Sequence, residues 1–117
     1  MKLYGITNCD TVKKARDWLT SHALEYEFHD YKKQAVDSVQ MQQWVAHVGW
    51  EKLVNRQGQT WRKLSDLEKA EVKDNASATR LMLAKPSVIK RPILEHLGKI
   101  HLGFSVELYQ SIFKDIL

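Results

Sequence analysis

The sequence predicts an α/β protein whose elements follow the order βαβ, a block of helices, and then ββα. Two patterns lead to this prediction. A short apolar run, a helical segment and a second short run fill the first 30 residues, and two strand-like runs around a glycine turn precede a last amphipathic segment. Because no repeat, linker or low-complexity tract divides the 117 residues, we expect one domain over residues 1–117.

The N-terminal βαβ unit is predicted from short local patterns. Residues 3–6 and residues 26–29 predict two strands, which a right-handed connection would make parallel. Thr7 and Asp10 have the spacing of a capping box, with Asn8 as an alternative N-cap, so a helix should begin here. Apolar side chains then recur at helical intervals: Val12, Ala15, Trp18 and Leu19.

The middle of the chain is predicted to be a helical insertion over roughly residues 37–85. Capping residues mark the helix starts, and glycine or proline marks the helix ends. The starts are Asp37 or Ser38, Ser65 with Glu68, and Asp74 or Asn75, and the ends are Gly49 and the region near Pro86. Residues 55–63, centred on Gly58, are predicted to be a loop.

Strands return near the end of the chain. Residues 87–90 are predicted to be extended and to lead into Arg91 and Pro92. Residues 93–94 and 100–102 predict a hairpin around a turn at residues 97–99. Ser105 then caps a final helix.

Composition and charge exclude several classes of protein. The content is 44% hydrophobic and 27% charged, and no segment approaches the roughly 20 apolar residues of a membrane helix, so we expect no membrane partner. The net charge of +4 is spread along the chain, which gives little support for nucleic-acid binding. One cysteine and no secretion signal favour a cytoplasmic setting. We expect a monomer with no bound cofactor. We also expect no metal site, since the five histidines lack metal-ligand spacing.

The single cysteine, Cys9, lies at the predicted junction between the first strand and the first helix. Unpaired backbone N–H groups and the positive end of the helix dipole stabilise a thiolate there, and only the thiolate is a good nucleophile. Asp10 opposes this effect slightly and Lys13 assists it. Position alone therefore leaves two alternatives, a catalytic thiol and an inert small residue.

Arg91 and Pro92 add to the case for catalysis. Proline is normally excluded from a sheet interior, so Pro92 indicates an edge, a bulge or a cis bond. In a βαβ…ββα arrangement the third strand begins beside the first strand–helix junction, which would bring Arg91 near Cys9. A guanidinium there lowers the thiol pKa and offers paired donors to an oxyanion or carboxylate. The alternative is that Arg91 is only a solvated strand end.

Four segments resemble one family in order along the chain: YGITNCDTVKKARDWL, GWEKLVNRQGQTWRKL, KPSVIKRPIL and HLGFS. They resemble the arsenate reductase (ArsC) family, specifically its YffB/Spx-like branch. The resemblance implies a thioredoxin-like fold with a mixed four-stranded sheet and the helical insertion. It also implies that Cys9 is the catalytic thiol, Arg91 the anion-binding arginine and Pro92 a cis-proline.

The sequence departs from the family's pattern at three places. Spx-type regulators have a CxxC pair, and Val12 stands at the second position here. Asn55 stands where arsenate reductases have an arginine in the middle loop, with Arg56 beside it. The segment at residues 101–104 has no counterpart of a third arginine, so an arsenate ion would lose part of its charge clamp.

The resemblance and the lone thiol lead to three hypotheses of function. The first is a glutathione-dependent thiol reductase, in which an outside thiol resolves the adduct on Cys9. The substrate would be a small oxidised thiol or an oxyanion, and glutathione would be the co-substrate. The second is an arsenate reductase coupled to glutathione and glutaredoxin. The third is an Spx-like regulator that binds RNA polymerase, with Lys32 and Lys33 available to an acidic partner.

The first hypothesis assigns roles to seven residues. Cys9 would be the nucleophile, and Arg91, with Arg56 and Lys13, would hold the anionic ends of the tripeptide. The remaining three site residues are expected to shape the site: Asn8 and Thr11 at the loop and helix start, and Pro92 beside the arginine.

Overall fold

The computed structural model describes all 117 residues and contains four strands and seven α-helices. The strands are β1 (Lys2–Gly5), β2 (Glu27–Asp30), β3 (Ile93–His96) and β4 (Lys99–Leu102). The helices are α1 (Asp10–Ser21), α2 (Ser38–Val48), α3 (Trp50–Leu53), α4 (Gln59–Arg62), α5 (Asp66–Glu71), α6 (Asn75–Ala84) and α7 (Val106–Ile112). No helix has the length and apolar character that crossing a bilayer requires.

The chain forms two compact units. The first contains Met1–Asp30 and Arg91–Leu117, and the second contains Tyr31–Lys90. The first unit holds all four strands, and the second holds the helices α2 to α6. The helical insertion predicted over residues 37–85 falls within the second unit.

The sheet of the first unit has the strand order β2-β1-β3-β4. β1 pairs in parallel with β2, while β3 pairs antiparallel with both β1 and β4. Leu97 and Gly98, with φ of 51° and 74°, form the tight turn between β3 and β4. The predicted mixed four-stranded sheet of an α/β fold is therefore confirmed.

The core of the first unit joins the sheet to α1 and α7. Its buried side chains come from the central strands and from the two helices: Leu3, Leu94, Ala15, Trp18, Leu19, Tyr109 and Phe113. The Trp18 ring meets the Tyr109 ring edge-on at 5.5 Å and stacks against Phe113 at 5.8 Å. This aromatic cluster fixes α1 against α7.

The second unit begins its helices at the predicted capping residues. Asp37 accepts a hydrogen bond from the Gln40 N–H at 2.8 Å, and Ser65 with Glu68 forms a capping box. Asp74 is the N-cap of α6, and its side chain accepts from the Ser77 N–H at 2.8 Å. Because the residues of a capping motif lie within one helical turn of sequence, these helix starts could be predicted.

Two segments differ from the prediction. Pro86–Val88 is a 3₁₀ turn rather than the start of a strand, and Ile89 pairs with Val54 only as an isolated bridge. Pro86 favours this turn because its fixed φ suits the first helical position. Within the predicted loop at residues 55–63, Gln59–Arg62 forms the single-turn helix α4.

Gly5 allows β1 and the first turn of α1 to approach each other closely. A Cβ atom on residue 5 would lie 2.8 Å from Cγ2 of Val12, a side chain that is itself completely buried. A side chain at position 5 would therefore displace the turn that follows Cys9.

We expect Gly5→Ala to lower the free energy of unfolding by about 1–3 kcal/mol, because overpacking a filled core forces its neighbours to move. In a double-mutant cycle with Val12→Ala, measured by urea denaturation, the second substitution should remove the clash and make Gly5→Ala less costly. Strictly additive effects would contradict the proposed contact.

Tyr109 tests a different feature, a buried hydroxyl that has no hydrogen-bond partner. We expect Tyr109→Phe to raise the free energy of unfolding by about 1 kcal/mol, since the unsatisfied group disappears while the ring remains. Tyr31→Phe is the matched control, because the buried Tyr31 hydroxyl donates to the Ile89 carbonyl at 3.2 Å and its removal should destabilise. Thermal unfolding of both variants would measure the effect, and a destabilised Tyr109→Phe would contradict it.

Candidate active site

Cys9 is the N-cap residue of α1. Its backbone is extended, with φ of −113° and ψ of 124°, and its carbonyl accepts the first helical bond from the Lys13 N–H at 3.0 Å. The prediction that Thr7 or Asn8 caps this helix was wrong, because the helix begins only at Asp10. The later start places the sulfur, rather than a side-chain oxygen, at the end of the helix.

The surroundings of the Cys9 sulfur favour its anionic form. Partial burial is the largest single influence and raises the pKa, but three hydrogen-bond donors oppose it. These donors are the Val12 N–H, the Arg91 guanidinium and the Thr11 N–H, and the positive charge of Arg91 adds to them. Together they lower the pKa of Cys9 below its ordinary value, so more of the nucleophilic thiolate is present near neutral pH.

Strand pairing brings Arg91 to this sulfur from the far end of the sequence. β1 and β3 are antiparallel, and Tyr4 lies opposite Ile93. Continuing that register places Arg91 across from Ile6, a few residues before Cys9. The predicted proximity of Arg91 to Cys9 is therefore confirmed by the hydrogen bond between them.

Pro92 follows a cis peptide bond, as the family resemblance implied. The residue is buried, and its carbonyl accepts a hydrogen bond from the Gly103 N–H at 2.8 Å. Gly103 has a φ of 78°, a conformation that favours glycine. The segment after β4 thus lies directly against the Arg91–Pro92 pair.

The other predicted site residues occupy different positions. Asn8 and Lys13 are exposed in the first unit, and Thr11 contributes its backbone N–H to the sulfur rather than its hydroxyl. Arg56 belongs to the second unit, where its guanidinium lies 5.3 Å from the centre of the Trp50 ring. Its part in binding a substrate stays a prediction.

One contributor to the site was missed. The backbone N–H of Val12 helps to lower the pKa of the Cys9 thiol, although the side chain of Val12 suggested only a core position. Taking Cys9 as the N-cap would have indicated this contribution, because the side chain of an N-cap residue lies near the second and third helical N–H groups. No group of three or more histidine, cysteine, aspartate or glutamate side chains could hold a metal ion.

Comparison with known proteins agrees with this geometry. The ArsC family model matches residues 4–112. The chain belongs to the ArsC family. The matched segment contains Cys9, Arg91 and Pro92.

Several relatives cover nearly the whole ArsC-family chain. An uncharacterised protein of Haemophilus influenzae is 40% identical over 111 residues, covering 95% of this chain and 96% of its own length. The solved structure of the YFFB (PA3664) protein is 48% identical with a TM-score of 0.89, over 94% of this chain and 96% of that one. An arsenate reductase (ArsC) related protein from Brucella melitensis is 50% identical with a TM-score of 0.78, over 97% and 93%.

A more distant relative is the global transcriptional regulator Spx of Streptococcus agalactiae. It is 24% identical over 106 residues, which are 88% of this chain and 75% of the regulator. The resemblance to the YffB/Spx-like branch of the family is therefore confirmed.

Replacing Arg91 tests the electrostatics of the sulfur. We expect Arg91→Met to raise the pKa of Cys9, since both a hydrogen bond and a positive charge are lost. The thiolate fraction near pH 7, and with it the rate of alkylation by iodoacetamide, should fall about tenfold. Arg91→Lys should give an intermediate alkylation rate, because it keeps the charge and loses the planar fork of donors.

The alkylation rate measured from pH 5 to pH 10 gives the thiol pKa directly. Arg62→Met is the matched control, since Arg62 is an exposed arginine of the second unit. An unchanged pH profile in Arg91→Met would show that the guanidinium does not activate the sulfur.

Proposed function

We propose that this ArsC-family chain is a glutathione-dependent thiol reductase with Cys9 as its single nucleophile. One observation supports the proposal above all: the Cys9 sulfur lies beside the Thr11 and Val12 N–H groups and the Arg91 guanidinium, and these groups lower its pKa. A buried structural cysteine has its pKa raised instead. The site therefore has the electrostatics of a reactive thiol.

The reaction consists of two thiol–disulfide exchanges. The Cys9 thiolate attacks a sulfur of a mixed disulfide between glutathione and a second thiol, forms a bond to the glutathione sulfur and releases the other sulfur as a thiolate. A second glutathione thiolate then attacks the Cys9–glutathione disulfide, releases the Cys9 thiolate and forms glutathione disulfide. Overall, the mixed disulfide and one reduced glutathione become the free second thiol and glutathione disulfide, and the released thiolate takes up the proton that the reduced glutathione lost.

An outside thiol is needed because the chain has one cysteine. Val12 takes the position at which a CxxC pair would place a resolving thiol, and its side chain is fully buried. Glutathione, the abundant small thiol of reducing compartments, supplies the resolving sulfur in this proposal. In this proposal Arg91 stabilises the thiolate that develops at each exchange, and Lys13 is a candidate to bind a carboxylate of glutathione.

Arsenate reduction is the second candidate, and the relative from Brucella melitensis named an arsenate reductase related protein favours it. The same Cys9 thiolate would attack the arsenic atom and form a sulfur–arsenic bond, while one arsenate oxygen leaves as water. The segment at residues 101–104, which contacts Pro92 through Gly103, has no arginine to share the charge of that oxyanion. We therefore favour disulfide substrates over arsenate.

A regulatory role is the third candidate because of the 24% identity to Spx. Without a second cysteine beside Cys9, the chain lacks an internal disulfide that could act as a switch. A pull-down with wild type and Cys9→Ser would separate this role from catalysis, since binding to RNA polymerase should not depend on the thiol.

The direct test uses the mixed disulfide of glutathione and 2-mercaptoethanol as substrate. With wild type we expect a Cys9–glutathione adduct by mass spectrometry, and glutathione disulfide production that rises with protein concentration. Cys9→Ser should show neither, and replacing the mixed disulfide by arsenate should give little turnover. Wild-type rates equal to the uncatalysed background, with no adduct, would overturn the proposal.

A further inference from the structure

A polar groove lies along α1, on the side of the helix that faces the edge strand β2. It has a volume of about 220 Å³ and belongs entirely to the first unit. Its lining residues are Thr7, Lys13, Arg16, Asp17, Thr20 and Tyr26. Apart from Lys13, none of them has a part in the thiol chemistry.

The groove begins at the N-terminal end of α1, where Thr7 and Lys13 line it on either side of Cys9 in sequence. Lys13, Arg16 and Thr20 follow one another at spacings of three and four residues, so they share one face of α1. At about 1.5 Å of rise per residue, Lys13 lies about 6 Å and Arg16 about 10 Å from Cys9 along the helix axis. Those distances correspond to about two or three extended residues, the reach of a short peptide.

Arg16 is held in place before any ligand binds. Its Nε–H donates to the Tyr26 hydroxyl at 3.0 Å, and its Cζ lies 4.0 Å from the centre of the Phe28 ring. A guanidinium has five N–H donors, and this contact uses one of them. A pre-positioned guanidinium of this kind binds a carboxylate with less loss of side-chain entropy.

The charges in the groove have both signs. Lys13 and Arg16 are positive, while Asp17 is negative, and the side chains of Lys13 and Asp17 are exposed to solvent. A simple dianion would be repelled by Asp17. A group that carries a carboxylate and an ammonium on one carbon complements the charges of all three side chains. The free amino-acid end of a peptide is such a group.

We propose that this groove binds the free α-amino and α-carboxyl end of a thiol peptide whose sulfur reacts at Cys9, which for glutathione is the γ-glutamyl end. Arg16 and Lys13 hold the carboxylate, and Asp17 accepts hydrogen bonds from the ammonium. The assignment of this peptide as a substrate rests on the proposed function. The groove then explains how one site selects glutathione over thiols that lack an amino-acid end.

The test measures binding without thiol chemistry. A Cys9→Ser chain is titrated with S-methylglutathione and, separately, with its N-acetylated form, while backbone amide signals are followed by NMR. We expect the free-amine ligand to shift the signals of Lys13, Asp17 and Thr20 and to bind about tenfold more tightly, because acetylation removes the ammonium that Asp17 recognises.

Two variants and a control test which side chain binds which charged group of the ligand. Asp17→Asn should abolish the preference for the free amine, and Lys13→Met should weaken both ligands to a similar degree. Asp115→Asn removes another exposed carboxylate, which lies outside the groove, and should change neither affinity. Equal binding of the two ligands to the Cys9→Ser chain, or signal shifts confined to other residues, would overturn the assignment.

These results are distinguishable from a failure of the proposed function. Thiol exchange at Cys9 without any preference for the free amine would overturn the groove assignment and leave the reductase proposal in place. Selective binding in the groove, with no exchange by wild type, would overturn the reductase proposal alone.

Discussion

The contact between the Arg91 guanidinium and the Cys9 sulfur is the interaction on which the rest of the site depends. The two residues are 82 positions apart in sequence, and only the antiparallel pairing of β1 with β3 brings them together. The close packing of Gly5 against Val12 sets the first turn of α1, whose N–H groups supply the remaining donors. The sheet and the helix therefore each contribute part of the charge that stabilises the thiolate.

Much of this arrangement follows from local sequence patterns combined with a rule of topology. Capping residues such as Ser65 and Asp74 place helix starts within one turn, and the Leu97–Gly98 pair predicts the hairpin. The proximity of Arg91 to Cys9 could be predicted although the two residues are far apart in sequence. A parallel βαβ unit followed by a hairpin can form one sheet in only a few ways.

Other features depend on information that no short segment contains. Thr7 and Asn8 were the predicted caps of α1, but Cys9 is the N-cap and the helix begins at Asp10, with Gly5 of β1 packed closely against Val12 in its first turn. Residues 87–90 were predicted to be extended, but Pro86–Val88 forms a 3₁₀ turn that begins at Pro86. The groove along α1 was not predicted from the sequence, because Arg16 is held by Phe28 of β2 and by Tyr26 just before that strand.

The position of Cys9 at the helix terminus also has a meaning for the end of the reaction. A sulfur that is stable as an anion is a good leaving group as well as a good nucleophile, because exchange is faster when the departing thiol has a lower pKa. Once the sulfur is bonded to a partner, it no longer carries the negative charge that the Thr11 and Val12 amides stabilise. The adduct is therefore the state that the helix disfavours, and the same amides that assist attack also assist release.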